Sequence, residues 1–126
     1  MQNYYDTLAT YERDGFTVIV DKTHEDMHAS HCFDDSVHDI DEICKDIDRG
    51  HLEWFMLRVR VLVEGLELSR EHLGACLYED PKEILTDGCA EDIIDTALTD
   101  AKKQVYRLSK VFAALSEQVD REGVNA

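Results

Sequence analysis

The 126-residue chain carries 28 acidic residues against 13 basic ones, a formal net charge of −15, and 44% of its residues are hydrophobic. This length suits a single domain, residues 1–126, and the hydrophobic fraction is too high for a disordered acidic tail. The charge argues against nucleic acid and anionic membranes as direct partners, because both would repel the chain. No apolar run of about eighteen residues and no secretory signal is visible, so we expect a cytoplasmic protein without a membrane span.

The first predicted elements are a short helix and a strand. Helical spacing of apolar residues predicts a helix over residues 3–13, with Gly15 as its stop; the residues are Tyr4, Leu8 and Tyr11. The continuous apolar run at residues 16–20 predicts a strand buried within the sheet.

Residues 21–34 lack apolar periodicity, so we expect a loop there. Four potential zinc ligands lie in this stretch: His24, His28, His31 and Cys32. Three nitrogens and one sulfur are enough for a tetrahedral zinc site. Their spacing, however, matches neither the paired cysteines of structural zinc sites nor the His-Glu-x-x-His of hydrolases. We therefore expect no cofactor, and keep a small zinc-binding or sensor domain as an alternative.

A second helix is predicted to start at a cap formed by Asp35 and Ser36 and to end at Gly50. Its apolar residues recur at helical spacing and are Val37, Ile40, Ile43, Cys44 and Ile47. The opposite face of this helix is acidic.

The stretch 52–78 predicts the central β-hairpin. Side chains alternate along its first strand, and the buried face is predicted to carry Phe55, Leu57, Val59, Val61 and Val63. Glu64 and Gly65 fit a two-residue turn, because Gly65 readily adopts the positive φ that such turns require.

The hairpin register that follows from this turn places Arg58 opposite Glu71 as an exposed ion pair, and Val61 opposite Leu68. Apolar residues of the second strand change parity partway along it. A bulge or short turn is therefore expected near residues 70–72.

The remaining chain predicts one helical turn at residues 81–85, capped by Asp80, and a long helix over residues 89–119. Such a helix is roughly 45 Å long, whereas a compact domain of this size is ~30 Å wide. Its end is expected to project or to pair with another chain, and pairing with a second copy would give a homodimer through this helix. The predicted fold class is α+β: a small antiparallel sheet, made of the hairpin 52–78 and strand 16–20, packed with helices.

Two blocks of the sequence hold most of the excess negative charge. Residues 34–48 contain seven acids against one lysine, and residues 79–100 contain eight against one. The helix dipole favours acids at helix starts but not Asp46 and Asp48, which fall in a last turn. Carboxylates three or four residues apart on a helix lie roughly 5–6 Å from one another, comparable with the spacing of nucleic-acid phosphates.

These acidic surfaces predict a protein that mimics nucleic acid and binds the basic surface of a nucleic-acid-binding protein. The alternative is a solvated surface that only keeps the chain soluble. The predicted partner-binding residues are Asp34, Asp35, Asp39, Asp41, Glu42, Asp46, Asp48, Glu91, Asp92 and Asp95.

No catalytic motif is visible: the sequence has no nucleophile elbow, phosphate-binding glycine loop or catalytic dyad, so we expect no enzyme. Its four cysteines are far apart and are predicted to be free thiols. In size, charge and lack of catalytic motifs the chain resembles small acidic inhibitor proteins of phages and mobile elements, of the anti-CRISPR, anti-restriction or DNA-mimic type. The resemblance implies an inhibitor or adaptor that blocks a host defence nuclease or a CRISPR complex. A homodimeric structural module is a further alternative.

Overall fold

A computed structural model describes residues 4–33, 36 and 39–121 of the protein. It contains one antiparallel sheet in which neighbours in the sequence are neighbours in space, with strands β1 (Asp6–Arg13), β2 (Phe16–His24), β3 (Glu53–Val63) and β4 (Leu66–Tyr78). The helices are α1 (Ile40–Asp48) and α2 (Cys89–Arg121), and two short 3-10 turns cover Ala29–His31 and Pro81–Leu85. The predicted α+β class is confirmed.

The core lies between one face of the sheet and the first half of α2. The predicted inward alternation of β3 is confirmed, because Leu57, Val59 and Val61 are fully buried and Phe55 nearly so. Small residues let α2 approach these side chains closely, and its buried positions are Ala90, Ile94, Ala97, Leu98 and Ala101. A hydrogen bond from Ser69 Oγ to the Ala97 carbonyl, at 2.6 Å, further joins β4 to α2.

The helix predicted over residues 3–13 is wrong, because residues 6–13 form the edge strand β1. Asp14 and Gly15 have φ values of 54° and 88°, and Arg13 pairs with Phe16 across them. Gly15 therefore turns a hairpin instead of ending a helix. Of the three residues whose spacing suggested a helix, Leu8 and Tyr11 pack partly buried against the core from the edge strand, whereas Tyr4 is 78% exposed.

β2 is longer than predicted, because the strand continues to His24. The first four residues of the predicted loop thus belong to the sheet. Asp21 and Thr23 are only 1% and 7% exposed, and both side chains have hydrogen-bond partners. Because hydrogen bonds to distant residues satisfy these side chains, a polar sequence can form a buried part of the strand here.

α1 begins later than predicted. Its cap is Asp39, whose Oδ1 accepts a hydrogen bond from the Glu42 amide at 3.1 Å, and not the predicted pair at residues 35–36. Asp35 and Val37 lie outside the described residues. The predicted stop is confirmed, because α1 ends at Asp48 and Gly50 follows with a φ of 78°.

The turn predicted between β3 and β4 is confirmed. Glu64 and Gly65 have φ values of 49° and 79°, and Val63 pairs with Leu66 across them. Two successive positive φ values are typical of the type I′ turn, whose twist matches that of the flanking strands.

The register predicted beyond this turn is wrong. The pairing shifts twice, near Leu68 and near Ala75, on either side of the expected single irregularity near residues 70–72. Ala75 has a φ of 58°, and the second shift places Cys76 rather than Ala75 in the core. The pairs that replace the predicted ones are Val61 with Ser69 and Arg58 with His72.

The helical turn at Pro81–Leu85 is confirmed, with Asp80 as its cap: Oδ1 accepts a hydrogen bond from the Lys82 amide at 3.0 Å. The long helix is also confirmed, and α2 contains 33 residues. At ~1.5 Å per residue it is about 50 Å long. Ala101 is its last buried residue, so the part of α2 beyond Ala101 lies apart from the core.

Candidate functional site

The two predicted acidic surfaces are carried by separate parts of the fold. α1 packs chiefly on the 3-10 turn Ala29–His31, whereas α2 packs on β3, β4 and the turn Pro81–Leu85. None of the residues of α1 is buried. Ile47, on the apolar side of α1, lines a cavity of about 520 Å³ together with Trp54 of β3 and other residues. α1 therefore presents its acids on a helix that the core does not surround.

The α1 acidic surface consists of acids with two different local roles. Asp39 is the helix cap, and Asp46 Oδ1 lies 3.6 Å from His51 Nδ1. The other three are exposed and form no ion pair with another described residue: Asp41, Glu42 and Asp48. His51 supplies a local reason for Asp46 in the last turn of α1, while Asp48 has none. The predicted Asp34 and Asp35 lie outside the described residues.

Among the described residues, the α2 acidic surface likewise contains one paired acid and two unpaired acids. Glu91 forms a bidentate pair with Arg13 at the end of β1, with two N···O distances of 2.7 Å. This hydrogen bonding from the guanidinium holds the pKa of Glu91 below its ordinary value and raises the pKa of Arg13. Asp92 and Asp95 are exposed and have no ion pair within the part of the chain that the structure describes. Glu91 therefore fixes α2 to the sheet, and the two aspartates face solvent.

A further carboxyl pair adds to the negative potential where α2 crosses β4. The hydrogen bond to Asp100, followed by burial and the negative charge of Asp100, raises the pKa of Glu71. Sequence reasoning missed this pair because it placed Glu71 opposite Arg58. The actual register brings Glu71 opposite Val59 instead.

Hydrogen bonds hold the segment of residues 25–32, which carries His28, His31 and Cys32, against the sheet. Trp54 Nε1 donates to the Met27 carbonyl at 2.8 Å, and the Ala75 amide donates to Glu25 Oε2 at 2.8 Å. The rings of His28 and His31 lie edge to face with their centroids 6.4 Å apart.

Cys32 Sγ contacts Met27 Sδ at 3.2 Å, away from any ligand set. Among residues 4–33, 36 and 39–121, no three His, Cys, Asp or Glu side chains come together in a way that could hold a metal ion. The zinc alternative, with His24, His28, His31 and Cys32 as ligands, stays a prediction. Elemental analysis of the purified protein, and unfolding measured with and without a chelator, would test it.

Sequence reasoning also missed a buried ionic cluster on the sheet face opposite α2. Arg58 donates to Asp21 Oδ2 from Nη2 and Nε, at 2.5 and 3.1 Å, and the aspartate side chain is 2% exposed. Arg60 Nη2 lies 3.4 Å from the same oxygen. The ring of Tyr5 covers the Arg58 guanidinium at 3.4 Å from its centroid. The predicted exposed pair of Arg58 and Glu71 is therefore wrong.

One sequence signal could have revealed this cluster. Asp21 continues the alternation of β2 on the face opposite Val18 and Val20, and Arg58 and Arg60 share the corresponding face of β3. An acid and two arginines on paired strands would have predicted an ionic contact.

No protein-family model, curated protein or solved structure matches the chain. In the described ranges, no helix is both long enough and apolar enough to cross a membrane. The four cysteines are free thiols, as predicted. Burial raises the pKa of Cys76 to about 11, so its thiol stays protonated near neutral pH and is a poor nucleophile.

Proposed function

We propose that the protein is a non-enzymatic inhibitor or adaptor whose acidic helix surfaces occupy the basic site of a nucleic-acid-binding protein, such as a host defence nuclease or a CRISPR complex. The observation that carries this proposal is a set of exposed carboxylates, on two helices, that form no ion pair with another described residue: Asp41, Glu42, Asp48, Asp92 and Asp95. Acids that serve the fold cap or pair, as Asp39 and Glu91 do. The helix dipole also accounts for acids in first turns, here Asp41, Glu42 and Asp92. It does not account for Asp48 in the last turn of α1 or for Asp95 in the second turn of α2.

The helical backbone gives these carboxylates a fixed spacing. Asp92 and Asp95 are three residues apart, which places their side chains roughly 5–6 Å from one another. A groove of lysines and arginines that binds phosphates could accept such a row of charges. The net charge of −15 would attract a basic partner over a long range and raise the association rate.

The way α1 packs on the rest of the protein also suits a binding role. Because α1 has no buried residue, neutralising its exposed acids disturbs no core contact, and loss of the dipole interaction of Asp41 and Glu42 costs about 0.3–1 kcal/mol each. Binding and folding can therefore be separated by mutation, and Asp39 should be left intact because it caps the helix.

The experiment is an affinity capture from cell lysate at about 50 mM and about 300 mM salt, which lie on either side of physiological screening. Bound proteins are identified by mass spectrometry and then challenged with double-stranded DNA and with RNA. We expect a nucleic-acid-binding protein that is held at low salt, lost at high salt and displaced by one of the nucleic acids. A partner that survives high salt and ignores nucleic acid would contradict the proposal.

Three variants locate the contact. The first, Asp41→Asn, Glu42→Gln and Asp48→Asn, neutralises α1, and the second, Asp92→Asn and Asp95→Asn, neutralises α2. The control carries Asp6→Asn, Glu64→Gln and Asp120→Asn, which are exposed acids outside both surfaces. We expect at least one of the first two to weaken capture by roughly tenfold or more, since several charge contacts are lost. If capture fell by the same factor per neutralised acid in all three variants, total charge alone would draw the partner, and a defined acidic site would be overturned.

A further inference from the structure

A second surface lies on the part of α2 beyond the core. Its apolar residues recur at alternating intervals of three and four, and we call them the exposed stripe: Val105, Leu108, Phe112, Leu115 and Val119. Phe112 and Leu115, at its middle, are 54% and 53% exposed. This spacing is the a and d pattern of a coiled coil, with Val105 at an a position.

The residues that flank the exposed stripe are uncharged. In the same heptad numbering, the e and g positions from residue 104 to residue 118 are Gln104, Ser109, Val111, Ser116 and Gln118. Charges at these positions usually select the partner of a coiled coil and repel wrong ones. A neutral border allows two identical helices to meet without repulsion at the seam.

We infer that the exposed stripe is the seam of an antiparallel homodimer, in which the distal half of α2 packs against that of a second copy with Phe112 near the centre. This inference does not depend on the proposed function, because none of the acids in the two acidic surfaces belongs to the stripe.

The distribution of charge determines the orientation. Residues 1–100 carry 25 acids and 8 bases, a net −17, whereas residues 101–126 carry five bases and three acids. A parallel dimer would hold two strongly acidic bodies side by side. In an antiparallel dimer centred on Phe112, the two Ala101 positions are ~33 Å apart along the helices, about three Debye lengths at 0.1 M salt.

The antiparallel arrangement also brings segments of opposite net charge together. Centred on Phe112, it sets residues 102–110, with four bases and no acid, level with residues 114–121 of the second copy, with two acids and one base. Most of these charges lie on the outer side of the helices, so they act through the surrounding field and not as ion pairs across the seam. In a parallel dimer, the basic segment of one chain would instead lie beside the same basic segment of the second copy. Charge complementarity thus favours a second copy in the antiparallel direction.

The exposed stripe leaves apolar area open to water. Val105, Phe112, Leu115 and Val119 are 39–54% exposed. Packing the stripe against a second copy would remove this area from water, which is the main driving force for association of such helices.

Sedimentation velocity from about 1 to about 100 µM protein tests the dimer, in a range that detects micromolar dissociation constants. Phe112→Glu places a charge at the seam of both copies and should raise the dissociation constant roughly 100-fold or more. The control, Ala113→Glu, adds the same charge to an exposed site outside the stripe and should leave dimerisation unchanged. Circular dichroism checks that both variants keep their helix content.

Small-angle X-ray scattering of the dimer tests the orientation. We expect two maxima in the pair-distance distribution, from two bodies at opposite ends of a helical seam. A monomer at every concentration, an oligomer larger than a dimer, or a dimer that Phe112→Glu leaves intact would overturn the inference. A single compact maximum would overturn the antiparallel arrangement.

Discussion

β3 presents two faces that are stabilised by different physical interactions. Toward α2 it carries aliphatic side chains such as Leu57 and Val59, which are fully buried. On the other face it carries Arg58, which is 9% exposed and bound to Asp21 beneath the ring of Tyr5. Apolar packing tolerates changes of shape at moderate cost, whereas a buried ion pair depends on both partners. Adjacent residues of one strand should therefore respond very differently to mutation.

The largest expected effect is on the ionic face. Among the described residues, Asp21→Ala leaves Arg58 without a carboxylate partner and Arg60 with only Glu67, 4.0 Å away. We expect this substitution to lower the free energy of unfolding by about 3–5 kcal/mol. Urea denaturation, followed by the fluorescence of Trp54, measures the change. The double variant Asp21→Leu with Arg58→Met removes both charges and should recover much of the loss. A cost below about 1 kcal/mol for Asp21→Ala would mean that this face resembles an ordinary exposed ion pair.

The aliphatic face should give a somewhat smaller effect. Leu57→Ala opens a cavity among residues that cannot collapse completely, and we expect it to lower the free energy of unfolding by about 2–4 kcal/mol. Leu62→Ala is the matched control, because Leu62 lies on the other face and is only half-buried. Equal losses at Leu57 and Leu62 in urea denaturation would show that the α2 side is not the main core.

The smallest expected effect is the change of stability with pH that comes from acids at the contact between α2 and the sheet. The pKa of Glu91 lies below its ordinary value of 4.5 because of Arg13, so the pair stabilises the fold above about that pH and the contribution is lost as the pH falls through the lowered pKa. Both side chains are partly exposed, which limits the contribution to about 1 kcal/mol or less. The parent should exceed Glu91→Gln in stability at neutral pH, and the difference should vanish in acid.

Glu71→Gln should behave in the opposite way. Its raised pKa, caused mainly by Asp100, means that ionisation of Glu71 costs stability once the pH exceeds that pKa. The variant should therefore be more stable than the parent at neutral pH and equal to it well below pH 4.5, the ordinary pKa of glutamate. Urea midpoints measured over this range give both results. The same sign for the two variants would contradict the charge assignments.

Local sequence signals predicted the elements whose own residues determine them. The turn at Glu64 and Gly65, the cap at Asp80 and the long stripe of α2 were all found in the structure as predicted. The Asp14-Gly15 pair, by contrast, was interpreted as the end of a helix, although such a dipeptide is a strong hairpin signal. A short apolar stripe in residues 4–11 outweighed it, because two helical turns and an edge strand can place the same few side chains on a core.

Long-range pairing was predictable only in part. The register of β4 depends on where the chain bulges, and no local residue pattern marked the bulges near Leu68 and Ala75, the second of which accompanies the burial of Cys76 in the core. Likewise, the sequence marked Glu91 and Asp92 as equivalent acids of one surface. Only the position of Arg13 at the end of β1 distinguishes the paired Glu91 from Asp92.

The sequence by itself determined the class of fold, the alternation of β3, the length of α2 and the excess of negative charge, because each depends on composition or on residues close together in the chain. The tertiary structure decided which acids cap, which pair and which face solvent. It also decided that Arg58 meets Asp21 inside the protein, and that the apolar stripe of α2 is buried before Ala101 and exposed after it. These outcomes depend on residues far apart in sequence, whose contact no local pattern records.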